Sequence, residues 1–205
     1  YTLKVSLMEG ETVTDETERQ IGIRTVEIVE RTETGQKTFY IAVNGQKIYA
    51  HGQNYIPFDY LKVYGTREQY EAMFTLLEKS HVNLVRVWGG GAVEDDSFFA
   101  ECDRRGILIW HDLFLHSNVY PDYDPEFVRE FLEETEGVLR TIRSHPCICL
   151  VCGGNEQLEG WDEYGWQQEL DRFYGSSLPL EHVPGLVKRL CPELPYICNS
   201  PHGGK

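Results

Sequence analysis

Three observations predict an α/β fold for this chain, the N-terminal part of a (β/α)8 barrel with about five strands. From about residue 37, short apolar strand segments alternate with amphipathic helix segments, as in a parallel sheet covered by helices. No glycine-rich phosphate loop opens any of the helices: "GGG" at 89–91 lacks the G-x-G-x-x-G spacing, which disfavours a nucleotide-binding sheet. The polar and aromatic residues gather where strands end, and in a (β/α)8 barrel the C-terminal strand ends carry the chemistry.

The elements follow in order. "YTLKVSLM" and "IGIRTVEIVE" alternate as strands do, with the polar, acidic "EGETVTDETERQ" between them; residues 1 to about 36 read as the last strands of a β-sandwich. "TFYIAVNGQKIYAHG" is a hairpin with Asn44-Gly45 at its tip, the pair that a type I′ turn favours. "TREQYEAMFTLLEKSH" is a helix capped by Thr66, with Tyr70, Phe74, Leu77 and His81 on one face. "NLVRVWGGG" is a short strand, and "DDSFFAECDRRG" is a helix closed by Gly106. "ILIWHDLF" is the next strand. "DPEFVREFLEETEGVLRTIRSHP" is a helix with Asp124 as cap, Pro125 in its first turn and Pro146 beyond its end. "CICLVCGGNE" is a strand, "LEHVPGLVKRLCP" a helix and "YICNSP" a strand.

Composition sets limits. The 205 residues carry a formal net charge of −14, which argues against a nucleic-acid partner, since phosphate binding needs a basic surface. No apolar run approaches the roughly 18–20 residues that span a bilayer, so no membrane partner is expected. The six cysteines include Cys147, Cys149 and Cys152 in "CICLVC", with 147 and 149 expected on one strand face and 152 on the other. That spacing suits buried hydrophobes in a reducing compartment better than a metal site, and a cytoplasmic location is expected. The start at Tyr1 and the stop at "PHGGK" just after an apolar run read as cut ends of a longer protein. Open sheet edges in such a piece would favour self-association.

The strand ends form a pattern. "HGQNYIP" follows the first strand; Arg86, Trp88 and three glycines end the second; His111 and Asp112 end the third; Asn155 and Glu156 end the fourth; Ser200 and His202 follow the fifth. A carboxylate beside an amide suits general acid/base work, and tryptophan faces suit a sugar ring. Trp161, Tyr164 and Trp166 would extend that surface. Each residue also has a plain structural reading: Arg86 as an ion-pair partner, Trp88 and Trp110 as core, His111 and His116 as satisfied histidines. A metal-dependent barrel hydrolase built on His111, Asp112 and His202 would lack a His-x-His after the first strand.

"RVWGGG", "LIWHDLF", "SHPCICLVCGGNE" and "PYICNSPHGG" resemble the β-mannosidase branch of glycoside hydrolase family 2. "QIGIRTVEI" resembles the end of the immunoglobulin-like domain before that family's barrel, and "FYIAVNGQKIYAHGQNYIP" the hairpin and first strand that open the barrel. The resemblance implies strands of an immunoglobulin-like β-sandwich at 1–36 and the N-terminal part of a TIM-barrel catalytic domain at 37–205. It implies Glu156 as the acid/base, titrating high in the intact site, and Asn155 as the partner of the sugar's 2-hydroxyl. Trp88 would line the terminal-mannose subsite, and Arg86 would keep the nucleophile ionised. Asp112 would support the site. Tyr164 stands where relatives often carry a tryptophan. Implied partners are β-mannoside oligosaccharides or glycans, with no cofactor and no metal. The family's nucleophile is a second glutamate on a later strand. No residue here matches it, so this chain alone should lack activity.

Overall fold

A computed structural model gives the architecture and describes residues 1–59, 61–62 and 64–202. The last residues of "PYICNSPHGG", from 203 on, lie outside that description. At the N-terminus β1 (Thr2–Glu9) and β2 (Thr12–Gln20) form an antiparallel hairpin, Thr2 opposite Gln20. The acidic stretch expected to be a polar connection is therefore largely a strand. Its β-branched Thr12, Val13, Thr14 and Thr17 suit an extended backbone, and its acids find cross-strand cations, as Lys4 Nζ does with Glu16 at 2.6 Å. Leu3, Val5 and Leu7 of β1 stay exposed.

A second sheet has the order β3 (Val26–Arg31), β4 (Lys37–Val43), β5 (Gln46–Ile48), all antiparallel. Asn44 and Gly45 join β4 to β5 with φ of 51° and 73°, as a type I′ turn requires. Arg24 fastens this region to the base of the third sheet, its Nε donating to Pro146 O at 2.9 Å and its Nη2 to Ile148 O.

The third sheet is parallel: β6 (Gly52–Tyr55), β7 (Leu84–Val87), β8 (Leu108–Asp112), β9 (Ile148–Cys152) and β10 (Tyr196–Ile197) lie side by side in chain order. The first parallel strand is thus "GQNY" itself, not the segment before it. Residues 46–48 fold back onto β4, which leaves 52–55 to pair with β7. Helix α1 (Arg67–Lys79) starts with a capping box between Thr66 and Gln69. Phe74 and Leu77 are its buried residues, whereas His81 lies past the helix, exposed, at φ 53°. The chain has to leave the helix there to reach β7, so His81 does not join the apolar face. Helix α2 (Asp96–Arg105) ends on Gly106 at φ 70°, and α3 (Pro125–Ile142) is capped by Asp124. Two short helices not expected from the sequence follow β9, α4 (Gln157–Asp162) and α5 (Trp166–Glu169). A π-helical turn at Leu178–His182 leads into α6 (Val183–Leu190).

Strand alternation sends the two sheet faces to different environments. The outer residues Val85, Val87, Ile109, Ile148 and Val151 pack with Phe74, Phe99, Leu139 and Val187 from the helices. The inner residues Leu84, Leu150, Cys152 and Ile197 meet Val26 and Ile41 of the three-stranded sheet. A register shift between β8 and β9 pairs Ile109 with Ile148 but Trp110 with Leu150, so Cys149 is an extra residue. Cys149 consequently joins Cys152 on the inner side, while Cys147 faces the helices with Sγ 3.7 Å from Phe99 O. The bulge thus puts Cys149 on the side of Cys152, contrary to the expected opposition, and the expected shared face of Cys147 and Cys149 fails because Cys147 lies in the turn before β9 and does not follow the strand's alternation. All six cysteines are free thiols. No helix among the described residues is long and apolar enough to cross a membrane.

His111 sits on the outer face of β8 against Phe99, their rings 6.1 Å apart, with neither ring nitrogen hydrogen-bonded among the described residues. Burial pulls its pKa down from 6.5 to about 4, opposed weakly by the Asp112 main chain. A lowered folded-state pKa means stability present above the unfolded value and lost as pH falls through the folded one. The fold should therefore weaken by up to ~3 kcal/mol between about pH 6.5 and 4. Urea unfolding across that range should show this dependence flatten in His111→Leu. The outer edges of β6 and β10 carry no further strand among the described residues. The 205-residue chain by itself should accordingly self-associate, seen in sedimentation velocity as a sedimentation coefficient that rises with concentration.

Candidate active site

The inner face of the sheet brings Arg86, Trp110 and Asp112 together, because each lies an even number of residues from its inward neighbour on β7 or β8. Arg86 pairs with Trp110 in register, and its guanidinium lies 5.8 Å from the indole centroid. It grips Asp112 with two nitrogens, Nε to Oδ1 at 3.2 Å and Nη2 to Oδ2 at 2.5 Å. Asp112 also accepts from Trp110 Nε1 at 2.9 Å and from the Gly89 peptide N–H at 3.2 Å. Burial pushes the Asp112 carboxyl up from its ordinary pKa, and the Arg86 guanidinium, the indole and the peptide pull it back. Its side chain is 0% exposed, that of Arg86 16%.

Asn155 and Glu156 follow β9 at the same end. Asn155 Oδ1 accepts from Arg86 Nη2 at 2.7 Å, and Asn155 Nδ2 donates to Ser117 Oγ at 3.3 Å. Ser117 Oγ donates in turn to Glu156 Oε2 at 3.0 Å. The Asn155 and Glu156 peptides bond Leu115 O at 2.8 Å and Ser200 O at 2.9 Å, so the tips of β8 and β10 clasp that of β9. Glu156 has φ 61°, a left-handed conformation that costs a non-glycine residue about 1–3 kcal/mol and that its neighbours enforce. Tyr164 is 55% exposed, and its pKa is raised by desolvation and by the adjacent Glu156 carboxylate.

Trp88 follows β7 with its ring 5.6 Å from that of His116. The glycines beside it serve close packing. A Cβ on Gly90 would fall 2.0 Å from the Trp88 ring, and one on Gly89 2.6 Å from Leu113 O. Gly153 and Gly154 likewise meet protein neighbours, Tyr196 Oη and the Gln157 amide. The expected aromatic surface is only partly formed: Trp161 stacks on Phe173 at 5.4 Å and Trp166 lies over Gly160, leaving Tyr164 as the one of the three beside Glu156. His111, Asp112 and His202 do not converge, since His111 faces the helices and His202 Nε2 pairs with Glu30 at 2.7 Å. Ser200 contributes its main chain, to Glu156 and Gly154. Ser117 and Asn199 were not anticipated. Asn199 accepts from the Gln157 peptide at 3.0 Å and donates to Glu159 at 2.7 Å, which fixes the start of α4. Their contacts span about forty residues, so no local signal marks them. Removing Asp112 strands a largely buried guanidinium. Asp112→Ala should cost ~3–5 kcal/mol in urea unfolding, and Arg86→Met in the same chain should recover much of it.

No family model matches the chain. It is 30% identical over 213 aligned residues to β-mannosidase B of Emericella nidulans, an alignment covering 99% of this chain and 25% of that protein. Its fold superposes on β-D-mannosidase from Dictyoglomus thermophilum with a TM-score of 0.82 at 33% identity, covering 94% of this chain and 23% of that one. A β-glucuronidase from Bifidobacterium dentium shares the fold at 20% identity, TM-score 0.69, over 95% of this chain and 30% of its own. The chain thus spans about a quarter of the length of the β-mannosidases it matches. Over that span, its sequence and its parallel sheet are those of a β-mannosidase-like segment of glycoside hydrolase family 2.

Proposed function

We propose that the full-length protein is a retaining β-mannosidase that releases terminal mannose from β-mannoside oligosaccharides or glycans. Glu156 is its general acid/base. The observation that carries this reading is the placement of Glu156 at the tip of a buried strand, beside an Asn155 amide whose orientation Arg86 dictates. In this reading Trp88 lines the terminal-sugar subsite, Tyr164 flanks Glu156, and Asn155 meets the 2-hydroxyl. Asp112 holds Arg86 in place. Residues 1–36 are the last strands of an immunoglobulin-like sandwich, and 37–205 begin the barrel.

A retaining mechanism needs a second carboxylate facing the first across the anomeric carbon. Asp112 is buried on Arg86, and Glu159, on α4, accepts from Asn199. The proposed nucleophile is a glutamate that a later strand supplies. In the first step Glu156 protonates the leaving oxygen as that nucleophile attacks. In the second it takes a proton from the water that releases the sugar.

Glu156→Ala in the full-length protein should lower kcat/KM on natural mannosides by roughly 10² to 10⁴. An aryl mannoside with an acidic phenol needs little protonation, so it should still form the covalent intermediate, which then accumulates. Azide needs no general base and should speed turnover to give the β-configured mannosyl azide. Equal losses on both substrates with no azide effect would remove Glu156 from the role, and an α-configured azide would make it the nucleophile. The rival readings are a family relative that cleaves another β-glycoside and a non-catalytic carbohydrate-binding barrel, which would hydrolyse none. Aryl β-galactosides, β-glucuronides and glucosaminides in the same assay decide that point.

A further inference from the structure

Ser117 ends a hydrogen-bond chain whose direction is fixed throughout. Arg86 is a donor only, so Asn155 must turn its oxygen toward the guanidinium and its NH₂ away. That NH₂ donates to Ser117 Oγ at 3.3 Å, which uses a lone pair of the hydroxyl and frees its single proton for Glu156 Oε2 at 3.0 Å. The main chain sets this geometry. Asn155 N donates to Leu115 O at 2.8 Å, and His116 forms a parallel bridge with Asn155, which lays the loop after β8 beside the tip of β9. Ser117 is exposed, and no other contact of its hydroxyl competes among the described residues.

From this geometry we infer that Ser117 is a positioning residue for Glu156, resting on the acid/base reading above. By occupying Oε2 it assigns proton exchange to Oε1. The Oε1–H proton passes to the glycosidic oxygen as its bond to the anomeric carbon breaks. The same oxygen later takes a proton from the attacking water. The Ser117 bond survives both states, because Oε2 accepts a hydrogen bond in the acid and in the carboxylate alike. Arg86 and Asp112 act at the far end of the chain, since the guanidinium sets the amide that sets the hydroxyl.

The test measures kcat/KM for β-1,4-mannobiose and for dinitrophenyl β-mannoside in the full-length protein, with Ser117→Ala, Ser117→Thr and Glu156→Ala, folding being checked by circular dichroism. Ser117→Ala should lose about 10- to 100-fold on mannobiose, the weight of a hydrogen bond to a charged group, and under about threefold on the dinitrophenyl substrate. Ser117→Thr keeps the hydroxyl and should restore mannobiose cleavage. Equal losses on the two substrates, no loss on either, or a threonine variant as slow as the alanine one would overturn the inference. If Glu156→Ala itself shows no dependence on the leaving group, the acid/base reading fails and this inference falls with it. A leaving-group effect in Glu156→Ala but not in Ser117→Ala removes Ser117 alone.

Discussion

The Arg86–Asp112 ion pair is the constraint on which the rest of the site depends. An unpaired charge on the inner face of a sheet is costly, so the two residues must meet once the strands are paired in register. Their meeting consumes both carboxylate oxygens of Asp112, with Trp110 and the Gly89 peptide as additional donors. It leaves Nη2 of Arg86 directed at Asn155, so a single guanidinium orients an aspartate on one strand and an amide beyond another. The polar face of the sheet is thereby rigid before any ligand arrives.

That rigidity is supported from behind by the outer core. Val85, Val87, Ile109 and Val151 are buried against α1, α2, α3 and α6, so the strands cannot rotate to expose their inner faces differently. A register shift in the parallel sheet, at Cys149, lets β9 keep Ile148 outward while Leu150 faces inward beside Trp110. Beyond the strands, close backbone approaches set the tips. Gly89 lies against the carbonyls of Leu113 and Leu115, and Gly154 against the Gln157 amide, distances that a side chain on either glycine would forbid. Glu156 then follows in a left-handed conformation held by Ser200 O and by the start of α4. Such strain at Glu156 persists because the surrounding backbone contacts over-determine its conformation.

Much of the fold was legible because its signals are local. The Asn44-Gly45 turn, the Thr66 and Asp124 caps and the Gly106 stop each depend on a few neighbouring residues, and each stands where the residues place it. β2 was less legible. A run of acids and threonines has no apolar alternation, and it becomes a strand because β1 pairs with it. The helices α4 and α5 are too short to show a period, and His81 shared the period of α1 without sharing its helix. In the site, strand endings alone mark Arg86, Trp88, Asp112, Asn155 and Glu156 as tip residues. The roles of Trp161, Trp166, His111 and His202 depended on which face or neighbour the fold supplied.

By itself the sequence determined the turns, the caps and stops of the longer helices and the residues that stand at strand tips, since turn chemistry, capping and alternation act over a few residues. Only the tertiary structure decided what those tips touch. The Arg86 bond to Asn155 joins residues 69 apart, and the Ser117 bond to Glu156 joins residues 39 apart. A one-residue bulge at Cys149 moves a side chain from one face of the sheet to the other. Hydrogen bonds demand distances near 3 Å and fixed directions, and neither is encoded in spacing along the chain until the strands are paired, the helices packed and the loops laid across one another.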